Sequence, residues 1–194
     1  MDAFLVATGL VALAEIGDKT QLLAFVLAAR FRKPGTICLG ILLATVVNHA
    51  GAAAVGSWIT AHVGAQTLRW VLGLGFLAMA VWTLIPDKLD EDEAGGGLSR
   101  RLGVLGTTVV AFFLAEMGDK TQIATVALAA RYADFGAVVA GTTLGMMIAN
   151  VPAVLVGGRL AQHMPVRLVH GVAALIFAVL GVATLAGAGA SLGL

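Results

Sequence analysis

Charge is what this sequence has least of. Asp, Glu, Lys and Arg make up 12% of its 194 residues, about half the share in soluble domains. A soluble fold of this length would lack the polar groups to cover its surface. Cysteine is nearly absent as well: Cys38 alone permits no internal disulfide, and no Cys/His cluster suggests zinc. Twelve basic residues against eleven acidic ones give a net charge of +1. No basic patch offers the clustered Lys and Arg that nucleic-acid phosphates require, which argues against nucleic acid as a partner. A basic leader is missing too. Ala12-Leu13-Ala14 resembles a signal-cleavage site, but Asp2 has the wrong sign for a secretion signal. Residues 1–30 therefore read as a retained membrane span, and no appended soluble domain is expected.

What the chain has in abundance is apolar surface. Hydrophobic residues make up 59% and the mean hydropathy is +0.97. Asp, Glu, Lys and Arg are missing from Pro34 to Leu68, Trp70 to Pro86, Phe135 to Gly158 and Leu168 to Leu194. About 20 apolar residues in a helix cross a bilayer. The expectation is an all-α membrane protein of six transmembrane helices, near residues 3–29, 35–61, 68–85, 102–130, 135–158 and 168–188. Trp58, Trp70 and Trp82 fall near span ends, where indole rings anchor at the interface. The hydrophilic stretch from Asp87 to Arg101 holds acidic residues, then Gly95-Gly96-Gly97, the composition of a flexible linker. It divides the chain into a three-helix unit at 1–86, a linker at 87–101 and a second three-helix unit at 102–194.

The two units are copies. Ala14-Glu15-Ile16-Gly17-Asp18-Lys19-Thr20-Gln21 returns as Ala115-Glu116-Met117-Gly118-Asp119-Lys120-Thr121-Gln122, at an offset of 101 residues. The same offset aligns Leu27-Ala28-Ala29-Arg30 with Leu128-Ala129-Ala130-Arg131, and Gly35, Gly40 and Gly56 with Gly136, Gly141 and Gly157. Eight loop Lys and Arg residues lie on one side of the predicted spans (Arg30, Arg32, Lys33, Lys88, Arg100, Arg101, Arg159 and Arg167). Only Arg69 and Arg131 lie on the other. The positive-inside bias then puts the central loop in the cytoplasm and both termini outside. With three spans each, the copies must cross the membrane in opposite senses. That is the inverted-repeat arrangement of many secondary transporters, whose sites lie near the midplane at the repeat interface.

Six charges fall inside spans: Glu15, Asp18, Lys19, Glu116, Asp119 and Lys120. Each costs roughly 2.5–3.5 kcal/mol at the bilayer centre even on the insertion scale, so they must meet one another, water or an ion in the interior. Glu15 and Asp18 are three apart and Glu15 and Lys19 four apart, so all three are expected to project from one helical face. Gly17 and Gly118 would allow close approach or a break, for which spans of 27 and 29 residues leave room. Pseudo-twofold symmetry would join the two faces into a cluster of four carboxylates and two lysines, formally −2, with Thr20, Gln21, Thr121 and Gln122 beside it. Hard oxygens with that charge suit a divalent cation such as Ca²⁺ or Mn²⁺. Once the ion leaves, close carboxylates repel and favour taking up protons, so ion and protons would compete for one site. A purely structural reading, with Glu15–Lys19 and Glu116–Lys120 pinning helices together, gives no role to Asp18 or Asp119. Nor does it account for the recurring Thr and Gln. His49, aligned with Asn150 and next to Asn48, could complete the coordination shell, relay protons or simply bond neighbouring helices. Pro152 is expected to kink its helix near Asn150. His62, His163 and His170, near span ends, are read as incidental.

Two copies of Glu-x-Gly-Asp-Lys-Thr, at Glu15–Thr20 and Glu116–Thr121, in a six-span protein of this length resemble the Gdt-type family of cation/proton exchangers. That family includes Golgi manganese and calcium transporters and bacterial manganese exporters. The resemblance covers essentially the whole chain, and both signatures match at every position. It implies a transporter rather than an enzyme, exchanging Mn²⁺, Ca²⁺ or both for H⁺ with no permanently bound cofactor. Glu15, Asp18, Glu116 and Asp119 would form the cation site. With no organellar leader or extra N-terminal span, the bacterial inner membrane is the expected location. Alternating access would follow from rocking of the two three-helix units, with Lys19 and Lys120 holding the empty carboxylates in place. The sequence leaves open whether copies associate into a homo-oligomer. Rival readings are Ca²⁺/H⁺ exchange as the main activity, export of a small organic cation, and an intramembrane aspartyl protease. The last is disfavoured by the lysine after each aspartate, which would keep both carboxylates ionised.

Overall fold

A computed structural model of the chain describes residues 2–85, 99–156 and 166–187, with only the backbone of Asp2 and 99–101. Among these residues there are eight α-helices and no strand: α1 Asp2–Glu15, α2 Lys19–Phe31, α3 Pro34–His62, α4 Ala65–Thr83, α5 Ser99–Glu116, α6 Lys120–Tyr132, α7 Phe135–Val156 and α8 Val166–Leu185. Four of them, α3, α4, α7 and α8, are long and apolar enough to cross a membrane. Leu102–Glu116 and Lys120–Tyr132 make a fifth span if taken together, bent by 71° at their junction, and Ala3–Glu15 is a shorter apolar helix. The all-helical membrane class expected from composition is the class observed.

The first and fourth expected spans are each two helices, not one. The cause lies in the repeated motif. Gly17 has φ +84° and Gly118 φ +73°, in the left-handed region that only glycine enters cheaply. The next residues, Asp18 (φ −78°, ψ 168°) and Asp119 (φ −79°, ψ 167°), are extended and serve as the N-caps of α2 and α6. Helical hydrogen bonding cannot pass through such a pair. A smaller correction concerns the linker: α5 already begins at Ser99, inside the 87–101 segment, and is kinked at Gly103 (φ 65°, ψ −177°). Residues 87–98 of that linker, with Gly157, Arg159 and His163, lie outside the described residues.

The two copies are threaded through one another. Helix α1 packs on α7 and α5 on α3; α2 lies against α7 and α6 against α3; α3 touches α7, and α4 runs along α8. Adding 101 to the first-half helix and subtracting 101 from the second-half one turns α1 on α7 into α5 on α3, and α2 on α7 into α6 on α3. Glycine permits the closest of these contacts. A Cβ on Gly40 would stand 2.7 Å from the Thr108 Cβ in α5, and one on Gly141 would stand 2.6 Å from the Phe4 carbonyl oxygen in α1. Small residues of this kind let membrane helices gain van der Waals contact where lipid supplies no hydrophobic drive. Two apolar clusters fill the interior, one around Leu10, Phe76, Leu128 and Phe177, the other around Leu27, Ile41, Phe112 and Met146. Outward faces carry Leu5, Val47, Val81 and Leu175, apolar side chains suited to lipid. Trp58 and Trp70 are exposed and Trp82 is half-buried.

Candidate cation site

The two helix breaks meet inside the molecule. At the first, Glu15 ends α1 and Asp18 precedes α2; at the second, Glu116 ends α5 and Asp119 precedes α6. Gln21, the third residue of α2, turns back and accepts a hydrogen bond from the Gly17 N–H through Oε1 at 3.0 Å; Gln122 does the same for Gly118 at 2.7 Å. These side chains replace the helical partner each glycine N–H has lost. Asp18 and Asp119 make no capping bond to their own helices. Their carboxylates turn to the centre instead, beside helix N-termini whose dipoles favour negative charge.

All four carboxylates are buried. Oxygens of Glu15, Asp18 and Asp119 lie within 4.8 Å of one another, a group that could hold a metal ion. Glu116 adjoins them, in electrostatic contact with Glu15, Asp18 and Asp119. Thr20 donates to Glu15 Oε2 at 2.5 Å and Thr121 to Glu116 Oε2 at 2.9 Å. Each glutamate keeps its other oxygen, Oε1, outside any hydrogen bond. Fixed, buried carboxylate oxygens at this spacing are what a hard divalent ion takes as ligands.

Each lysine forms an ion pair across to the opposite motif. Lys19 Nζ is 3.9 Å from Asp119 Oδ1, and Lys120 Nζ is 3.7 Å from Asp18 Oδ1. Glu15 and Lys19 sit on different helices across the break, so the i,i+4 relation of a continuous helix does not operate and each cation reaches the opposite copy. For the same reason Glu15 and Asp18 converge through a turn, not through a shared helical face. Lys120 also donates to the Ile85 carbonyl at 3.0 Å.

The secondary candidates divide. Gln21 Nε2 donates to the Ala149 carbonyl of α7 at 3.0 Å, next to Ile148, whose helical donor is removed by Pro152. Gln122 Nε2 donates to Asn48 Oδ1, and Asn48 Nδ2 reaches the Phe113 carbonyl at 3.3 Å. Asn48 is thus tied to the second motif. Asn150 bonds back to the Met146 carbonyl at 3.1 Å, leaving its Oδ1 without a partner; His49 is fully buried with neither ring nitrogen hydrogen-bonded. His170, read from sequence as incidental, is not so: its Nε2 bonds the Ile16 carbonyl at 2.7 Å, at the first break. Its distance of 154 residues along the chain hid that contact, and the only sequence signal was a histidine at the start of an otherwise apolar span.

Six charges brought together at two broken helices in an apolar helical fold make a candidate ion site, and comparison with known proteins gives the class. The model of the family "Divalent cation/proton antiporter GDT1" matches residues 3–91 and 104–191. A Vibrio cholerae protein named "Putative manganese exporter" is 50% identical over 185 residues, covering 95% of this chain and 90% of that one. "GDT1-like protein 4" of Oryza sativa subsp. indica is 32% identical over 91% of this chain and 70% of its own. "GDT1-like protein sll0615" of Synechocystis is 29% identical over 92% and 96%. No solved structure matches significantly. The chain belongs to the GDT1 family of divalent cation/proton antiporters, and it is a transporter rather than an enzyme.

Proposed function

We propose that this protein exports Mn²⁺ across a bacterial inner membrane in exchange for protons, using Glu15, Asp18 and Asp119 as ion ligands with Glu116 completing the charge. The observation that carries the reading is the buried convergence of carboxylate oxygens from both motifs within 4.8 Å. The name of the Vibrio cholerae relative favours manganese. So does a ligand set of hard oxygens without thiolate.

The chemistry follows from charge. Four carboxylates and two lysines leave −2 in a space that water does not neutralise. One divalent ion cancels that charge, and so do two protons. Neither the loaded nor the protonated site then carries a large desolvation cost, whereas the empty ionised site does. The crossed pairs, Lys19 with Asp119 and Lys120 with Asp18, hold carboxylates from both copies at one point. Thr20, Thr121, Gln21, Gln122 and Asn48 fix the turns that present them, and His49 and Asn150 lie buried nearby on α3 and α7.

In this reading α1–α2 and α5–α6 are each one broken span. They complete six spans in two inverted three-helix repeats, with both termini periplasmic and the central loop cytoplasmic. Support comes from the pairings that interchange under the 101-residue offset and from the Lys/Arg count. The interleaved packing makes rocking of two separate three-helix units a poor description of the transport movement.

The test is reconstitution into liposomes with a trapped pH dye. Addition of Mn²⁺ should drive proton movement by the parent protein and little by Glu15→Gln or Asp119→Asn. A panel of Mn²⁺, Ca²⁺ and small organic amines sets the substrate class. Full Mn²⁺-driven proton flux in both variants would overturn the site assignment. Response to amines alone would overturn the metal reading.

A further inference from the structure

The two copies agree closely at the carboxylates and disagree at the helices that flank them. Helix α8 packs on α1, but its counterpart pairing, α4 on α5, is at most a glancing contact; α4 leans on α6, and the counterpart, α8 on α2, is again at most glancing. The α4–α8 pair is therefore displaced toward one side of an otherwise symmetric core. The effect at the two breaks is large. At the first, a Cβ on Gly17 would collide with Val166 of α8, and His170 holds the Ile16 carbonyl at 2.7 Å. At the second, no described atom comes within 4 Å of a Cβ placed on Gly118, and Met117 and Gly118 are exposed. The crossed lysines differ in the same sense: Lys19, whose ammonium reaches Asp119 at the second break, has a side chain 18% exposed, and Lys120, which reaches Asp18 at the first, only 2%.

The offset identifies the missing half of the movement. Subtracting 101 from Val166 and His170 gives Ala65 and Arg69, in the first two turns of α4. In this structure the Arg69 Nε makes no hydrogen bond, and its Nη1 stands 3.3 Å from a Cβ placed on Gly187. Arg69 lines a cavity of about 430 Å³ with Gln66, Ala130, Arg131, Thr184 and Gly187, so the α4 terminus has open space beside it.

We propose that α4 and α8 move as one paired body between two positions, and that His170 and Arg69 are the positioning residues that latch them. In the position seen, His170 on the Ile16 carbonyl closes the first break; in the other, Arg69 donates to the Met117 carbonyl and closes the second. The two latches are exclusive, because the pair cannot lean on α1 and α5 at once. This rests on the exchange reading above. By the charge count, the closed side seen here is the cytoplasmic one, and the site is open toward the periplasm. Closing one break opens the other, which keeps the ion from running straight through.

Paired cysteines in a Cys38→Ser background test this in membranes, with a short bis-maleimide as probe. The Ile16→Cys, Val166→Cys pair, at the contact of α8 with the first break, should cross-link as the position seen, and its counterpart Ala65→Cys, Met117→Cys should cross-link as the other, with both latch residues left in place. Adding His170→Ala to the second pair removes one hydrogen bond from the first position. Its cross-linking should then rise about three- to tenfold, while His170→Gln, whose amide can still donate to Ile16, should leave it near the parent level. Cross-linking of the first pair without the second overturns the proposal, and so does equal behaviour of the His170→Ala and His170→Gln proteins. Size-exclusion profiles identify any variant that fails to fold, and the uncombined Ala65→Cys, Met117→Cys pair carries the test alone. If both pairs cross-link but the parent protein moves no protons with Mn²⁺, the exchange reading fails and the paired movement stands. If exchange is present and the second pair never cross-links, the reverse holds.

Discussion

Thr20 and Thr121 each spend their hydroxyl on a buried glutamate, and each does so from the helix beyond the break. A hydrogen bond to a charged group contributes about 1.5–3 kcal/mol. Thr20→Val or Thr121→Val should therefore raise the Mn²⁺ concentration for half-maximal flux by roughly ten- to a hundredfold, while Thr→Ser at either position should stay near the parent value. Lys120 is a sharper case. Its ammonium is almost wholly buried between Asp18 and the Ile85 carbonyl, and breaking a buried pair costs about 3–5 kcal/mol. Lys120→Met should lower the thermal unfolding midpoint, and saturating Mn²⁺ should raise it more than in the parent, because the ion supplies the charge the lysine supplied. A variant as stable as the parent without metal would remove Lys120 from the buried network. The convergence of the acidic side chains was legible in the sequence, since six charges inside apolar spans have nowhere else to go. Their pairing was not. The spacing of Glu15 and Lys19 pointed to a contact within one helix, and only the positive φ of Gly17 redirects Lys19 to the other copy.

At the scale of the helix, two glycines in one motif look alike in sequence and act differently from the glycines around them. Gly17 and Gly118 break helices, whereas Gly40 and Gly141 admit neighbours. Gly141→Val would drive a side chain into the Phe4 carbonyl and Ala7, and overpacking of this kind costs about 1–3 kcal/mol. Fluorescence-detected size exclusion after heating should show a clear loss for Gly141→Val and Gly40→Val. Gly9→Ala should behave as the parent or better, since nothing lies within 4 Å of its added methyl and alanine is the stronger helix former. Equal loss for all three would mean that close helix approach is not what these positions serve. Hydropathy located α3, α4, α7 and α8 well because their apolar runs are unbroken. It joined α1 to α2 and α5 to α6 because a three-residue turn of Ile-Gly-Asp or Met-Gly-Asp barely lowers a window average, however thoroughly it interrupts hydrogen bonding.

For the whole molecule, duplication was plain in the sequence and interleaving was not, since an offset reports kinship and says nothing of which surface packs on which. The consequence appears during synthesis. Because α1 and α2 rest on α7, and α5 and α6 rest on α3, the first half leaves the ribosome with Glu15 and Asp18 facing no finished interior and waits for partners that have yet to be translated. Its nascent form should need shelter from the insertion machinery or from lipid headgroups until the second half arrives. If that is how the molecule assembles, the peptide link at Gly96 is dispensable while co-residence is not. Two fragments divided there and expressed together should recover exchange in vesicles, and either one expressed alone should be degraded, as pulse-chase labelling would reveal. Survival of a lone fragment with a half-life like that of the intact chain would mean that each copy matures by itself.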